Sequence, residues 1–291
     1  MKYEYVRSAQ CAAQARLLKE GLDYFGIKVN PTSDVGRMIA ALEWMGSFPA
    51  ETAQPDSAFT TDRKRALGAF PLYEQALRIA STLTWARTVP GAREKVLHLK
   101  KRLNRLETQD EQAQDYLFEL EIAERLVAQG HAITFEEPDV VLHVKDGDKL
   151  GLACKRPRNV RQLRERVKEA ADQVTAQPFP GVIVIGVEPL FHKSGDRQRP
   201  TVVYLGDPPM VARAAYDLLD AAMMRSRKEI AAAFGQGVGG ILFCGIVTGW
   251  ARRVVGDSSA YHFQWIHRAL SHPDALGLVE VLEARLFPDM A

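Results

Sequence analysis

The sequence predicts an α/β protein: a mixed central sheet flanked by helices, with an all-helical domain before it. Three observations carry this expectation. Residues 1–108 hold helical patterns and no convincing strand, residues 139–155 alternate apolar and polar side chains around an Asp-Gly turn, and the apolar runs 182–185 and 241–247 read as interior strands between helical stretches. A helical accessory domain is therefore expected over 1–108 and the sheet domain over 109–291.

In chain order, helices are expected over 6–25, 34–46, 63–86 and 91–107, interrupted by Asn30-Pro31-Thr32 and by the proline-bearing stretch 49–57. The next helix spans 112–128, where Tyr116, Leu120, Ala123, Leu126 and Val127 form an apolar stripe and Gly130 follows as a stop. With Ala123 as the centre of that stripe, Glu119 falls about 40° from its axis and Glu121 on the opposite side. An inward carboxylate needs a partner nearby, a cation or a lysine; the alternative is that Glu119 lies at the edge of the stripe and salt-bridges a neighbouring basic residue.

A hairpin comes next. Val140, Leu142 and Val144 form one face of its first strand, and Leu150, Leu152 and Cys154 one face of its second. A two-residue turn at Asp146-Gly147 would set apolar residues against polar ones. A three-residue loop, Asp146-Gly147-Asp148, pairs Val140 with Cys154, Leu142 with Leu152 and Val144 with Leu150, and is preferred; it also pairs Asp139 with Lys155.

A helix running to about 177 buries Val160, Leu163, Val167, Ala171 and Val174 and directs its arginines outward. Pro178-Phe179-Pro180-Gly181 then leads into strand 182–185, and a loop with His192, Lys193, Arg197 and Arg199 into strand 202–205. One helix over 208–234, strands at 241–247 and 258–266, and a closing helix at 276–286 complete the pattern.

The chain has 291 residues, 46% hydrophobic and 25% charged, with a net charge of only +2, so any nucleic-acid role rests on clustered charge. Clustering exists: Lys155, Arg156, Arg158, Arg161, Arg164, Arg166 and Lys168 face a single acid, Glu165. This run is either a phosphate track or a solvated face. A second group, Arg93, Lys95, Lys100, Lys101, Arg102 and Arg105, either extends the track or lies on a plain exposed helix. Three distant cysteines, Cys11, Cys154 and Cys244, exclude a disulfide or zinc framework, and the absence of an apolar leader or a membrane-length run predicts a cytoplasmic protein.

Several motifs fail on context. The Gly235–Gly240 run matches GxGxxG but follows a helix and opens a strand, the reverse of a dinucleotide site. His262, His267 and His272 lack a ligand spacing. Tyr261, Phe263 and Trp265 fit a buried sheet face better than a base-stacking platform.

Phe118-Glu119-Leu120, Pro138-Asp139, the strand end Leu152-Ala153-Cys154-Lys155-Arg156-Pro157 and the helix with Ala170-Ala171-Asp172-Gln173 together resemble the PD-(D/E)XK superfamily, the restriction-endonuclease-like fold. The resemblance implies a Mg²⁺- or Mn²⁺-dependent endonuclease acting on nucleic acid, DNA above all, in bacterial defence or DNA processing. It implies Glu119 and Asp139 as metal ligands, the Cys154 carbonyl as a further one, Lys155 as the residue that positions or activates water, and Gln173 in a supporting role. Arg156, Arg158, Arg161 and Arg164 would hold the phosphate backbone, and the helical domain would contact a protein partner or a second copy; no membrane contact is expected. The departure is Ala153, which stands at the usual acidic position. Magnesium needs carboxylate oxygens that a methyl group cannot supply. Three accounts follow: an enzyme with a relocated acid, for which Glu136, Glu137 and Glu119 are candidates, a nuclease-fold protein that only binds, or a chain inactivated at one catalytic position.

Overall fold

Side-chain alternation along the central strands decides the layering of this protein. The computed structural model describes residues 4–5, 8–47, 63–100, 102, 111–144, 147–191, 203–205, 208–252, 259–275 and 277–287. Its elements are β1 (Glu4–Tyr5), α1 (Ser8–Tyr24), α2 (Asp34–Gly46), α3 (Arg63–Ala86), α4 (Pro90–Leu99), α5 (Glu111–Ala128), β2 (Ala132–Thr134), β3 (Val140–His143), β4 (Lys149–Lys155), α6 (Val160–Thr175), β5 (Gly181–Gly186), β6 (Val203–Leu205), α7 (Pro208–Arg225), α8 (Arg227–Gly235), β7 (Gly240–Arg252), β8 (Ser259–Ser271) and α9 (Leu278–Leu286).

Eight strands form one mixed sheet, seven of them in the order β1-β8-β7-β5-β4-β3-β2 with β6 beside β7, so the α/β class and the mixed sheet are as expected. β4, β5 and β7 run parallel in the middle, with antiparallel pairs on both flanks. The long β7 pairs with β5 over Gly240–Cys244 and with β6 over Thr248–Trp250, so two short strands follow one another along the same edge. The helix-to-strand turn ahead of β7 reverses at Gly237, whose φ of 96° favours glycine.

Alternate residues feed opposite layers. Leu150, Leu152, Cys154, Val182, Val184, Leu242 and Cys244 pack with Phe118, Ile122 and Leu126 of α5 and Leu282 of α9. Ala153, Ile183, Ile185, Ile241 and Phe243 face the other way, onto Leu163, Val167 and Ala171 of α6 and Ala215 and Leu219 of α7. A third cluster joins Leu18, Leu22, Met38, Leu42, Ile79, Leu83, Val96 and Leu99 of α1–α4, and it continues into Ala113, Leu117 and Leu120 of α5. Helix α5 is thus apolar towards two neighbours, the sheet and the helical part.

The observed elements depart from expectation in five places. Residues 1–108 are not free of strand, since β1 pairs with β8 through Glu4 and Phe263. The helix expected to 107 ends at Leu99, and residues 103–110 lie outside the described ones. The 208–234 helix is broken at Ser226 into α7 and α8, β2 had no sequence signal strong enough to separate it from a loop, and the last two long strands run to Arg252 and Ser271.

The hairpin shows why a small register error is tolerable. Val140 pairs with Leu152 and Leu142 with Leu150, and the Val144 N–H donates to the Asp148 carbonyl at 2.8 Å. The register is thus displaced by two from the expected one, and residues 145 and 146 of the turn lie outside the described residues. Because side chains alternate with period two, that displacement leaves every residue on its expected face.

Candidate functional site

The expected convergence at the C-terminal end of β4 is present. Lys155, the last residue of β4, places Nζ 3.2 Å from Asp139 Oδ2, and the Cys154 N–H donates to the same oxygen at 2.8 Å. Both side chains are largely buried, 5% exposed for Lys155 and 12% for Asp139. Glu119 approaches from α5, 3% exposed, and forms an ion pair with Lys95 of α4. So Glu119 does point inward, and its partner is a lysine, Lys95 of the helical part.

Asp115 joins them, a residue the sequence reading missed although it stands four positions before Glu119 and so on the same face of α5. Its Oδ1 accepts the Arg156 N–H at 2.9 Å, and its Oδ2 lies 3.4 Å from Arg166 Nη2 of α6. Helices from opposite layers of the sheet thus meet across the end of β4. Three carboxylates, Asp115, Glu119 and Asp139, stand among three cations, Lys95, Lys155 and Arg166.

Titration follows from this crowding. Burial, and after it the charge of Asp139, pushes the Glu119 carboxyl up to about 7 against the pull of Lys95. Burial pushes Asp115 up to about 6, against the Arg156 N–H and the Arg166 charge. Asp139 is raised by burial although Lys155 opposes it. Burial pulls the Lys155 ammonium down, but Asp139 and then Asp115 outweigh it and hold it above the ordinary lysine range. Lys155 is therefore a fixed cation near neutral pH. It can orient or neutralise an anion, and it is a poor base for taking a proton from water.

The raised acids have a consequence for stability. A carboxyl whose folded pKa lies above its unfolded value supports the fold fully below the ordinary carboxylate range and loses that support as pH rises through the folded value. Stability is expected to fall between about pH 4 and pH 7, from the ordinary carboxylate values up to the raised values of Asp115 and Glu119, and Glu119→Gln is expected to flatten that part of the profile. Thermal midpoints across this range check it; parallel profiles for the two proteins would show that Glu119 titrates normally.

Other expected site residues divide. Ala153 is fully buried and belongs to the apolar layer with Leu163 and Ile183. Glu136 and Glu137 are exposed, and Glu136 lies 3.7 Å from Lys149 of the hairpin, so neither supplies the absent acid. The Cys154 thiol is fully buried, and burial, then the Asp139 charge, raise its pKa well above the usual range. Gln173 lies two turns beyond Arg166 on α6, and its side-chain oxygen is buried with no hydrogen-bond partner, which leaves it outside the ionic cluster.

The basic run is also split, which corrects the expectation that its arginines all project outward. Arg156 is 7% exposed, and its Nε lies 3.4 Å from Glu188. Arg158 is partly buried and its N–H donates to Gln162 Oε1. Arg164 reaches the Arg225 carbonyl at 2.9 Å and Glu229 at 3.9 Å. Arg161, with its side chain 90% exposed, and Lys168 do face outward.

Behind the cluster lies a second ionic group that sequence reading did not find. Arg78 of α3 holds Glu121 through Nε at 2.8 Å and Glu188 through Nη1 at 3.0 Å, and the Ile246 N–H donates to Glu188 at 3.2 Å. Burial would raise the Glu188 carboxyl, but Arg78 and Arg156 hold it below the usual range. Glu121, expected to face away from the stripe, is buried because α3 covers that side of α5. Gly245 makes room: a Cβ there would stand 3.0 Å from Glu188 Cδ.

The histidine and aromatic motifs are structural where they are described. His267 pairs with Glu283 and stacks on Phe287, while His272 meets the edge of Phe234. Trp265 lies under the guanidinium of Arg125, 4.3 Å from its centroid. The side chains of Tyr261, His262 and Phe263 and the loop 192–200 lie outside the described residues. Among the described residues no helix is long and apolar enough to cross a membrane, and no group of three His, Cys, Asp or Glu side chains is arranged to hold a metal ion.

In comparisons with known proteins, the chain matches no family model, no curated protein and no solved structure.

Proposed function

We propose that this chain is a nucleic-acid-acting protein of the PD-(D/E)XK kind, acting on DNA above all, with its site impaired at Ala153. The observation that carries the reading is the Asp139–Lys155 pair at the end of β4 with Glu119 inward beside it. The order helix, hairpin and helix supports it: Glu119 lies on α5, Asp139 just before β3, Lys155 at the end of β4 and Gln173 on α6.

A divalent cation fits the donor set as a two-carboxylate site. Mg²⁺ is commonly held by one or two carboxylates with water and phosphate oxygens; burial does most to raise Glu119, and the smaller part that comes from the Asp139 charge is what a bound cation would relieve. Glu119 and Asp139 would hold it, with Lys95 leaving Glu119. When bound, Mg²⁺ or Mn²⁺ supplies polarisation of the phosphoryl group and a more acidic water. The chain's own contribution is placement. Lys155, fixed as a cation by Asp139, faces an incoming phosphate oxygen, while Arg161 and Lys168 offer outward charge to the backbone. Bacterial defence or DNA processing is the setting this reading implies.

A second reading is favoured by the charge balance. Each of the three carboxylates already has its own cation, as in a scaffold that binds nucleic acid or a partner without cutting it.

The experiment is Ala153→Glu beside the unchanged protein, both assayed on plasmid, linear and single-stranded DNA and on RNA with Mg²⁺ or Mn²⁺. Residue 153 lies in a packed apolar layer, so circular dichroism and thermal melting must accompany the assay, with the shorter Ala153→Asp as a second variant. Cleavage by an acidic variant is expected, and adding Lys155→Ala is expected to lower it about 10²–10³-fold, the usual loss of a charge-stabilising group. If folded variants and parent all bind nucleic acid with a steep salt dependence and none cuts, the second reading replaces the first.

A further inference from the structure

Most inward arginines described above are matched by carboxylates, but one group of cations is not. Tyr24 closes α1 with its ring 49% exposed. Arg87, just after α3, places its guanidinium carbon 5.1 Å from the centre of that ring, and Arg93 of α4 places its own at 5.9 Å. Lys100, which follows α4, brings Nζ to the same corner, 3.1 Å from where a Cβ on Gly26 would stand. Arg87, Arg93 and Lys100 form no ion pair among the described residues, although Glu94 adjoins Arg93 and Asp23 adjoins Tyr24 in the chain. Nε and Nη2 of Arg87 are buried with no hydrogen-bond partner.

The contrast with the rest of the molecule is informative. Arg78, Arg156 and Arg166 are held by carboxylates that cancel their charge. Arg87 and Arg93 are held by an aromatic ring, which orients a guanidinium for about 0.5–1 kcal/mol at an exposed site and leaves its charge intact. Three oriented, unneutralised cations in one place suit a polyanion, and the planar guanidinium fork matches the paired oxygens of a phosphodiester.

We propose that Tyr24, Arg87, Arg93 and Lys100 form a second contact for the phosphodiester backbone of nucleic acid, on the helical part of the chain. The inference rests on the nucleic-acid reading above and gives α1, α3 and α4 a role in it. Helix α4 links the two places: Lys95 reaches Glu119 at the candidate site, while Arg93 turns to Tyr24.

The test is fluorescence anisotropy with labelled single-stranded and duplex oligonucleotides of DNA and RNA, titrated across a salt series. The parent is compared with the double variant Arg87→Gln/Arg93→Gln and with Arg161→Gln on α6. The double variant is expected to bind about tenfold more weakly at moderate salt, with the slope of log affinity against log salt reduced by roughly 1.8 on duplex DNA, the effect of two lost phosphate contacts. Arg161→Gln should reduce it by roughly half as much, through the site's own track. An unchanged slope in a double variant with the parent's thermal midpoint overturns this contact and leaves the proposed function standing. If the parent binds no nucleic acid at any salt, both fall.

Discussion

Arg78→Ala is expected to destabilise the fold by about 3–5 kcal/mol, because it leaves two buried carboxylates without their shared cation. Glu121 and Glu188 are 5% and 4% exposed, and both are bound to the one guanidinium. Glu188 keeps Arg156 and the Ile246 N–H, so Glu121 suffers the greater loss. Denaturant unfolding with a calorimetric scan checks this; for a chain of this size the midpoint should drop by at least about 6 °C. Adding Glu121→Gln removes the stranded charge and is expected to recover part of the loss, since residues in one ionic network do not act additively. A cost below about 1 kcal/mol would mean that water reaches this network and that it contributes no more than a surface pair.

Asp139→Ala is the second large effect. Lys155 would keep its charge in a setting 5% exposed, with the more distant pulls of Asp115 and Glu169 to offset it, and the Cys154 N–H would lose its acceptor. The expected loss is about 3 kcal/mol, at the lower end for a broken buried pair because Asp115 remains. Asp139→Asn keeps an oxygen for the Cys154 N–H and should cost less. Asp139→Ala combined with Lys155→Met should recover most of the stability, as an apolar replacement of a buried pair does. If the single variant unfolds no more easily than the double, Lys155 is not held by Asp139. The same variants also separate structure from chemistry: the double variant should be well folded yet inert in any background that cuts nucleic acid.

Much of this site could be read from the chain because it depends on local periodicity. Asp139 and Lys155 are sixteen residues apart on a hairpin whose alternation assigns both to one end and one face, and even a register displaced by two keeps that assignment. Glu119 was legible as an inward acid because its angle on a helix is fixed by 3.6 residues per turn. Its partner was not, since Lys95 belongs to another helix and no pattern within α5 points to it. Asp115 had a signal, the spacing of four from Glu119, that became meaningful only once Arg156 and Arg166 were seen around it.

What the sequence determined by itself was the α/β class, the helical start, the interior strands and the inward Glu119, because each follows from a repeat of two or 3.6 residues that the backbone enforces locally. What only the tertiary structure decided was how charges are matched. Glu121 is buried by α3, Arg156 turns inward to Glu188, and Ala153 sits in an apolar layer where the resemblance places an acid. Burial and Coulomb energy depend on distances between segments far apart in the chain, and a one-dimensional pattern carries no record of them.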